Sequence, residues 1–185
     1  MTAVGEARHQ EGHREDTGRR RVAVRAGLLT AAVTLILDQV TKHWILDGLR
    51  LTEESAPLVL TPFAELKFVW NRGISYGLFQ QGTDFGRWIL VAISIAAAIA
   101  LVVWLLRVSK LLVGIAIGFV IAGALGNAID RALYGAVIDF IYVHFAIVPF
   151  WRYVFNIADA AIVAGVAGLL YDSILPGRQS RGHAP

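Results

Sequence analysis

The sequence lacks cysteine entirely, and this absence excludes disulfide bonds, thiol nucleophiles and cysteine-ligated metal sites. Charge is scarce as well: charged residues make up 17% of the 185 residues, and the formal net charge is +3. The basic residues form no patch interleaved with aromatic side chains, so we expect no nucleic-acid partner. Hydrophobic residues instead make up 56% of the chain. Because this exceeds ordinary soluble usage and lies in long runs, it predicts a protein whose solvent is lipid.

Four apolar runs can each cross a bilayer, whose hydrocarbon core of about 30 Å needs about 20 helical residues. The runs cover residues 22–46, 87–106, 111–133 and 154–175. We therefore predict an all-α integral membrane protein with four transmembrane helices. The first run has a cleaved signal peptide as its alternative, but it continues into Asp38, Gln39 and Lys42 without a small-residue cleavage site.

Basic residues at the ends of the runs predict the orientation of the chain. With four spans, three basic clusters fall on one side, namely Arg19, Arg20, Arg21 and Arg25, then Arg107 and Lys110, then Arg178 and Arg181. Both termini are therefore expected in the cytoplasm. We expect a disordered basic tail at 1–21, which is too polar to bury a core, a single four-helix domain at 22–176, and a cytoplasmic tail at 177–185.

Two longer connections are expected on the outer side of the membrane. The first, at 47–86, contains a partly alternating stretch from Glu65 to Trp70, which predicts a small β-structure, a short strand or hairpin, at the membrane surface. The second, at 134–153, is rich in aromatic residues, and we predict a loop that lies in the membrane interface.

Ionisable side chains inside membrane spans are costly, so each one is a candidate functional residue. Asp38 and Lys42 lie four residues apart on the first helix and therefore share a face. We interpret them first as a self-neutralising ion pair that holds this helix to its neighbours.

The third helix carries a second polar group. Asn127, Asp130 and Arg131 are spaced three and four apart and gather on one side. Small residues repeat every four positions before them, at Gly114, Gly118, Ala122 and Gly126. Such a row lets another helix approach closely, so we expect the polar group to face the bundle interior near the outer surface.

Two further carboxylates, Asp139 and Asp159, form a candidate acid–base pair. Asp139 has apolar neighbours, which would raise its pKa if it is buried. Asp159 lies three residues after Asn156 in the first turns of the fourth span, where the helix field favours a negative charge. Two carboxylates in different environments at one depth are typical of acid–base catalysis, and a close pair would titrate as one unit.

Other mechanisms and functions fit the sequence less well. The segment from Gly73 to Gly77 matches the G-x-S-x-G pattern, but that pattern needs a strand-to-helix turn of an α/β sheet. A transporter with an Asp and Lys proton relay would need polar residues through both halves of the bilayer, whereas the inner halves are nearly all apolar. A structural assembly factor is the third alternative, in which the carboxylates only hold helices together.

Three motifs, in this order and spacing, resemble those of lipoprotein signal peptidase, the bacterial type II signal peptidase. They are Gly126-Asn127-x-x-Asp130-Arg131, Val137-Ile138-Asp139-Phe140 and Phe155-Asn156-x-Ala158-Asp159, and Asp38-x-x-x-Lys42 and Asn71-x-Gly73 also match. The resemblance covers about residues 25–175. It implies an aspartyl endopeptidase of the bacterial inner membrane, without metal or cofactor. Such an enzyme cleaves prolipoproteins just before a diacylglyceryl-modified cysteine.

The resemblance also implies roles for individual residues. It makes Asp139 and Asp159 catalytic; Asn71, Gly123, Asn127 and Arg131 substrate-binding; and Asp38, Lys42, Asp130 and Asn156 structural support. Membrane lipids and the cyclic lipopeptide inhibitor globomycin are the other implied partners, and we expect a monomer with its active site near the extracytoplasmic face. The chain departs from the family at Ile74-Ser75-Tyr76 and at Ala122-Gly123, which bears on loop packing and inhibitor affinity rather than on the aspartates.

Overall fold

The computed structural model describes the backbone of residues 3–73, 84–145 and 148–174, and the side chains within those ranges except 3–14, 145 and 148–152. These ranges contain four long α-helices: α1 Ala3–His43, α2 Asp84–Leu105, α3 Leu111–Tyr134 and α4 Ile157–Ile174. Each helix includes an apolar stretch long enough to cross a membrane, which confirms the four predicted spans. The predicted tail at 177–185 lies outside the described residues.

The start of α1 corrects the expectation of a disordered tail at 1–21. The helix already begins at Ala3 and runs without interruption into the membrane span. Glu15 and Asp16 precede Arg19 and Arg20 by four residues, which is the spacing of stabilising ion pairs on a helix. Because helix propagation adds one hydrogen bond for each residue fixed, the apolar span can extend into this polar sequence.

The predicted row of small residues on α3 does pack closely against another helix, α1. A Cβ atom on Gly114 or Gly118 would collide with the backbone of α1, and one on Gly126 would lie 2.5 Å from Asp38 Oδ2. The row therefore brings two helix backbones together and allows the polar residues that follow it to meet. After α1, the chain makes a π-helical turn at Trp44–Gly48.

A small antiparallel sheet covers one end of the bundle. Its four strands lie in chain order: β1 Leu58–Thr61, β2 Ala64–Asn71, β3 Val137–Phe145 and β4 Val148–Phe155. The hairpin of β1 and β2 confirms the prediction for the first connection. At 134–153, where we predicted a loop in the membrane interface, β3 and β4 instead form a second hairpin, so the expectation of a loop is corrected. Val154 and Phe155 end β4, so α4 begins at Ile157 rather than at 154.

The pairing of β2 with β3 sets the geometry of the polar residues at this end. Val69 pairs with Asp139 and Asn71 with Val137, so Asn71 is a diagonal neighbour of Asp139 on the same face. A bulge between Leu66 and Val69 adjusts the register, as is common beside active sites. Gly135, with φ of 77°, ends α3 in the left-handed conformation and turns the chain directly into β3.

Candidate active site

Asp139 lies on β3 and is almost completely buried, with 2% of its surface exposed. Asn71 on β2 donates a hydrogen bond from Nδ2 to Asp139 Oδ2 at 3.0 Å. Asn156, which precedes α4, donates from Nδ2 to Asp139 Oδ1 at 2.7 Å. Each carboxylate oxygen thus has an amide donor, which offsets part of the cost of removing the group from water. Two strands and one helix end together fix its orientation.

Asn156 also positions Asp159, the other predicted catalytic residue. Its Oδ1 accepts a hydrogen bond from the backbone N–H of Asp159 at 2.9 Å, and Asp159 Oδ2 accepts one from the backbone N–H of Asn156 at 3.4 Å. This reciprocal arrangement is a capping box, formed here by Asn and Asp at the N-terminus of α4. The structure therefore brings Asp139 and Asp159 together around one side-chain amide.

Asn127 on α3 completes this group of amides. It donates from Nδ2 to Asp159 Oδ1 at 2.8 Å, while its Oδ1 accepts from Asn156 Nδ2 at 3.3 Å and from Lys42 Nζ at 3.4 Å. A lysine ammonium can only donate, so the oxygen of Asn127 faces Lys42 and its NH2 group faces Asp159. Three asparagines from three parts of the chain thus surround the two carboxylates.

Burial raises the pKa of Asp139 to about 7, and the negative charge of Asp159 acts in the same direction. The hydrogen bonds from Asn71 and Asn156 oppose this increase but are outweighed. This agrees with the prediction made from the apolar neighbours of Asp139. A carboxyl group that exchanges its proton near neutral pH is suited to general acid or general base catalysis.

Lys42 lies beside Asn127 and is completely buried. Its Nζ contacts Asp38 Oδ2 at 2.8 Å and Asp130 Oδ2 at 2.7 Å. The predicted pair of Asp38 and Lys42 is confirmed, and the structure adds Asp130 of α3 as a second partner. An unpaired charge buried at this depth would strongly destabilise the fold, so the ammonium group of Lys42 and the carboxylates of Asp38 and Asp130 each need the others as counter-charges.

Lys42, Asp38 and Asp130 form a buried charged triad. Its two aspartates also contact α4 and β3, the elements that carry the candidate catalytic pair. Asp38 Oδ1 accepts the backbone N–H of Ala158 at 2.9 Å, in the first turn of α4. Asp130 Oδ2 accepts the backbone N–H of Ile138 at 3.1 Å, one residue before Asp139. Both contacts lie immediately beside the two carboxylates, and they are the contacts through which the predicted structural support would act.

Gln39 is a site residue that the sequence prediction missed. Its Nε2 lies 3.1 Å from Asp130 Oδ1, 3.2 Å from Asp38 Oδ2 and 3.4 Å from the carbonyl oxygen of Gly126. It therefore links α1 to α3 beside the buried triad. The signal that would have found it is a polar amide inside a membrane span, one residue after Asp38.

Arg131 and Gly123, both predicted to bind substrate, have different surroundings. Arg131 donates from Nη1 to the carbonyl oxygen of Asn127 at 3.3 Å, and its buried Nε has no hydrogen-bond partner in the described part of the chain. It keeps hydrogen-bonding capacity beside the carboxylates. Gly123 packs against α4, where a Cβ atom would collide with the carbonyl oxygen of Ala158.

The departure at Ile74-Ser75-Tyr76 and the serine of the G-x-S-x-G pattern lie outside the described residues. Among the residues that are described, no three His, Asp or Glu side chains group as metal ligands. Beside Asp139 and Asp159, the described side chains are three asparagine amides and the guanidinium of Arg131, and Asn127 joins them to the ion pairs of Lys42.

Comparison with known proteins agrees with this geometry. The family model of "Signal peptidase (SPase) II" matches residues 30–175. The chain is 57% identical over 159 residues to a lipoprotein signal peptidase of Methylobacterium radiotolerans, covering 85% of this chain and 91% of that protein. It is 54% identical over 154 residues to that of Methylorubrum extorquens, covering 83% and 88%.

Solved structures share the fold. A bacterial membrane enzyme determined by the in meso method at 2.3 Å resolution matches with a TM-score of 0.73 and 27% identity, over 88% of this chain and 96% of that chain. A second, at 1.9 Å resolution, matches with a TM-score of 0.71 and 29% identity, over 83% and 96%. The relatives favour a peptidase over the transporter and the assembly factor considered above.

Proposed function

Because the chain belongs to the signal peptidase II family, aspartic-type proteases that remove signal peptides from prolipoproteins, we propose that Asp139 and Asp159 are its catalytic pair. One observation carries the proposal: the side chain of Asn156 binds both residues, through Nδ2 to Asp139 and through Oδ1 to the Asp159 amide. The raised pKa of Asp139, about 7, supports it further.

In the proposed reaction, Asp159 is ionised and takes a proton from a water molecule, whose oxygen attacks the scissile carbonyl carbon. Asp139 is protonated, donates a hydrogen bond to the carbonyl oxygen, and later helps to protonate the leaving amine. Its deep burial favours the neutral form, whereas the N-terminus of α4 stabilises the charge of Asp159. Water is the nucleophile, so no covalent intermediate forms.

The chain is a multi-pass membrane protein of a bacterial family, and we place it in the inner membrane with both termini in the cytoplasm. The basic clusters support this orientation. Arg20 contacts Leu106 just after α2, and Lys110 precedes α3, whereas the strands join the opposite ends of α3 and α4. The catalytic pair then lies near the extracytoplasmic face, where cleavage occurs just before the diacylglyceryl-modified cysteine of the prolipoprotein.

The amide and guanidinium groups beside the pair suggest how substrate is held. Asn71 and Asn127 donate to the carboxylates, and the guanidinium of Arg131 interacts electrostatically with both of them. We assign these three side chains to the peptide backbone on either side of the scissile bond. A globomycin-type inhibitor would occupy the same place. We further propose that one chain is sufficient, since α1, α3, α4 and the sheet of a single copy supply every residue named here.

The proposal is tested with the purified full chain in nanodiscs and a diacylglyceryl-modified prolipoprotein. Wild type is compared with Asp139→Asn and Asp159→Asn in a gel-shift assay, and mass spectrometry identifies the new N-terminus. We expect both variants to lose at least about 10⁴-fold in rate while they remain helical, as for other members of catalytic units. The product should begin at the lipid-modified cysteine.

A matched control uses Asp84→Asn, which changes an aspartate whose side chain is 91% exposed at the start of α2. This variant should cleave at the wild-type rate. A folded Asp139→Asn or Asp159→Asn variant that cleaves as fast as Asp84→Asn would show that the proposed pair is wrong.

A further inference from the structure

Six basic side chains lie at the end of the bundle that is away from the sheet. Four belong to a short stretch of α1, and two belong to the turn at 106–110 that joins α2 to α3. All six are exposed on the described chain, namely Arg19, Arg20, Arg21, Arg25, Arg107 and Lys110. The proposed catalytic pair and the buried triad lie toward the other ends of α1 and α3, so neither makes use of these cations.

Arg20 joins the two parts of this basic surface. It donates a hydrogen bond from Nε to the carbonyl oxygen of Leu106, the residue immediately before Arg107. One helical turn further along α1, the backbone of Ala23 lies so close to α3 that a Cβ atom on Gly114 would collide with it. The helices are therefore in backbone contact beside the arginines, and the cations of α1 and of the turn are held on neighbouring, well-packed elements.

The chain itself neutralises little of this charge. Lys110 pairs with Asp172 of α4 at 2.9 Å. The five arginines form no ion pair with the residues that the structure describes, although Glu15 and Asp16 lie one turn before the first two of them. An excess of exposed cations creates a positive potential that attracts an anion from the surroundings.

The residues beside the cations are apolar and equally exposed. Val22 and Leu29 of α1 expose 57% and 66% of their surface, and Leu111 at the start of α3 exposes 50%. Arg25 and Leu29 lie four residues apart on α1 and therefore share a face. A ligand that covers both kinds of side chain needs an anionic head and an apolar body. An anionic phospholipid has both, whereas a soluble anion has only the first.

We propose that this surface binds an anionic phospholipid, with the lipid phosphate at the junction of Arg20 and Arg107. Each basic residue beside a membrane span strengthens the binding of anionic lipid about fivefold, and a guanidinium can bind phosphate through two parallel hydrogen bonds. Because Arg20 already contacts Leu106, a phosphate held there links α1 to the turn between α2 and α3. A ligand that binds only the folded state stabilises it, so anionic lipid should raise the melting temperature.

The first test measures lipid binding to the purified full chain in an uncharged detergent. Dioleoyl phosphatidylglycerol, which is anionic, is compared with dioleoyl phosphatidylcholine, which has the same acyl chains and no net charge. Native mass spectrometry gives the affinity for each lipid, and thermal unfolding gives its effect on stability. We expect phosphatidylglycerol to bind at least tenfold more tightly and to raise the melting temperature more. The difference in melting temperature should shrink in about 1 M NaCl, which screens exposed charges.

The second test changes the cations. Arg107→Gln should weaken phosphatidylglycerol binding about fivefold, and the double variant with Arg20→Gln should weaken it at least tenfold. The Arg107 side chain makes no ion pair within the described residues, so its replacement leaves the fold intact even if loss of the Arg20 contact loosens α1. The matched control is Arg50→Gln with Lys67→Gln, which removes the same charge from exposed residues near the sheet. It should leave the affinity within twofold of wild type.

Three results would overturn the proposal. Equal affinity for the two lipids would show that the surface does not select an anionic headgroup. An equal loss in the double variant and in its control would show that net charge matters and the location does not. Inorganic phosphate that raises the melting temperature as much as phosphatidylglycerol would assign the surface to a soluble anion. Failure of the proposed function is separate from these, because it would appear as a folded Asp139→Asn variant that still cleaves.

Discussion

Asn156 donates a hydrogen bond of 2.7 Å from Nδ2 to Oδ1 of the buried Asp139. The same side chain accepts the backbone N–H of Asp159 through Oδ1 and so also serves as the N-terminal cap of α4. One amide therefore has two separable roles: its NH2 group orients a proposed catalytic residue, and its oxygen stabilises a helix. Substitutions at this position can test each role.

Asn156→Ser should keep the cap and lose the NH2 group that reaches Asp139. Serine is a good N-cap residue, so its hydroxyl oxygen can still accept the N–H of Asp159. It has no NH2 group to hold Asp139, and misplacement of a catalytic group by about 1 Å costs about 100-fold in rate. Because the partners of the lost NH2 group are buried, we expect a melting temperature below that of wild type but above that of Asn156→Leu, which also loses the cap. We also expect a kcat lower by about 100-fold, measured in the prolipoprotein cleavage assay.

Asn156→Leu is the comparison variant, since it removes both functions. It leaves buried polar groups without partners, which costs about 1–3 kcal/mol each, and it should lower both the melting temperature and kcat. If Asn156→Ser cleaves at the wild-type rate, the hydrogen bond to Asp139 does not orient the catalytic group.

The raised pKa of Asp139 predicts how the cleavage rate depends on pH. If Asp139 acts as the protonated partner, the rate should fall about tenfold per pH unit above about pH 7, because the acid form is lost as pH passes the pKa. The measurement is kcat from pH 5 to 9 in nanodiscs. A rate that instead falls as pH decreases below 7 would reverse the two roles and make Asp139 the base.

The same group should make stability depend on pH. The pKa of Asp139 rises from 3.8 to about 7 on folding, so the folded protein binds more protons than the unfolded chain between these values. Its contribution to stability is complete below about pH 4 and is lost as pH rises to about 7, to a total on the order of 4 kcal/mol. Thermal unfolding at pH 4, 5.5 and 7 should show this decrease for wild type and a smaller one for Asp139→Asn.

Lys42 should be far more important for stability than its neighbours on the helix surface. Lys42→Met leaves Asp38 and Asp130 buried without their cation, and breaking a buried pair in this way costs about 3–5 kcal/mol. The triple variant with Asp38→Asn and Asp130→Asn removes the uncompensated charges and should recover part of the loss. Melting temperatures of the three proteins check this, and equal melting of the single and triple variants would contradict it.

The sequence was sufficient to predict the features that depend on local spacing. Four apolar runs of sufficient length predicted four helices, and the spacing of Asp38 and Lys42 predicted their ion pair. The row that includes Gly118 predicted a close helix contact. Each of these rests on helical periodicity or on the thickness of the bilayer, which fix geometry over short stretches of chain.

Features that depend on distant segments were not predictable in this way. The stretch that forms β3 pairs with β4, which follows it directly, and also with β2, which ends at Asn71, far back in the sequence. The joining of the two hairpins into one sheet depends on that distant pairing. Asp130 joins Lys42 from another helix, and Gln39 bonds to both aspartates of the triad. Such contacts follow from tertiary packing, and a single sequence carries no periodic signal for them.

Gly118→Ala should separate close helix packing from helix propensity. A Cβ atom there would collide with the carbonyl oxygen of Gly27 on α1 and lie 3.1 Å from Thr30 Cβ, so the two helices would have to move apart. Overpacking of this kind costs about 1–3 kcal/mol, although alanine favours the helix by up to about 1 kcal/mol. We expect a lower melting temperature and a lower cleavage rate, because α1 carries Lys42.

Gly18→Ala is the control, since no described atom lies within 4 Å of its Cβ position, and it should be neutral or slightly stabilising. A Gly118→Ala variant that melts with Gly18→Ala would show that the backbones of α1 and α3 are not in close contact there.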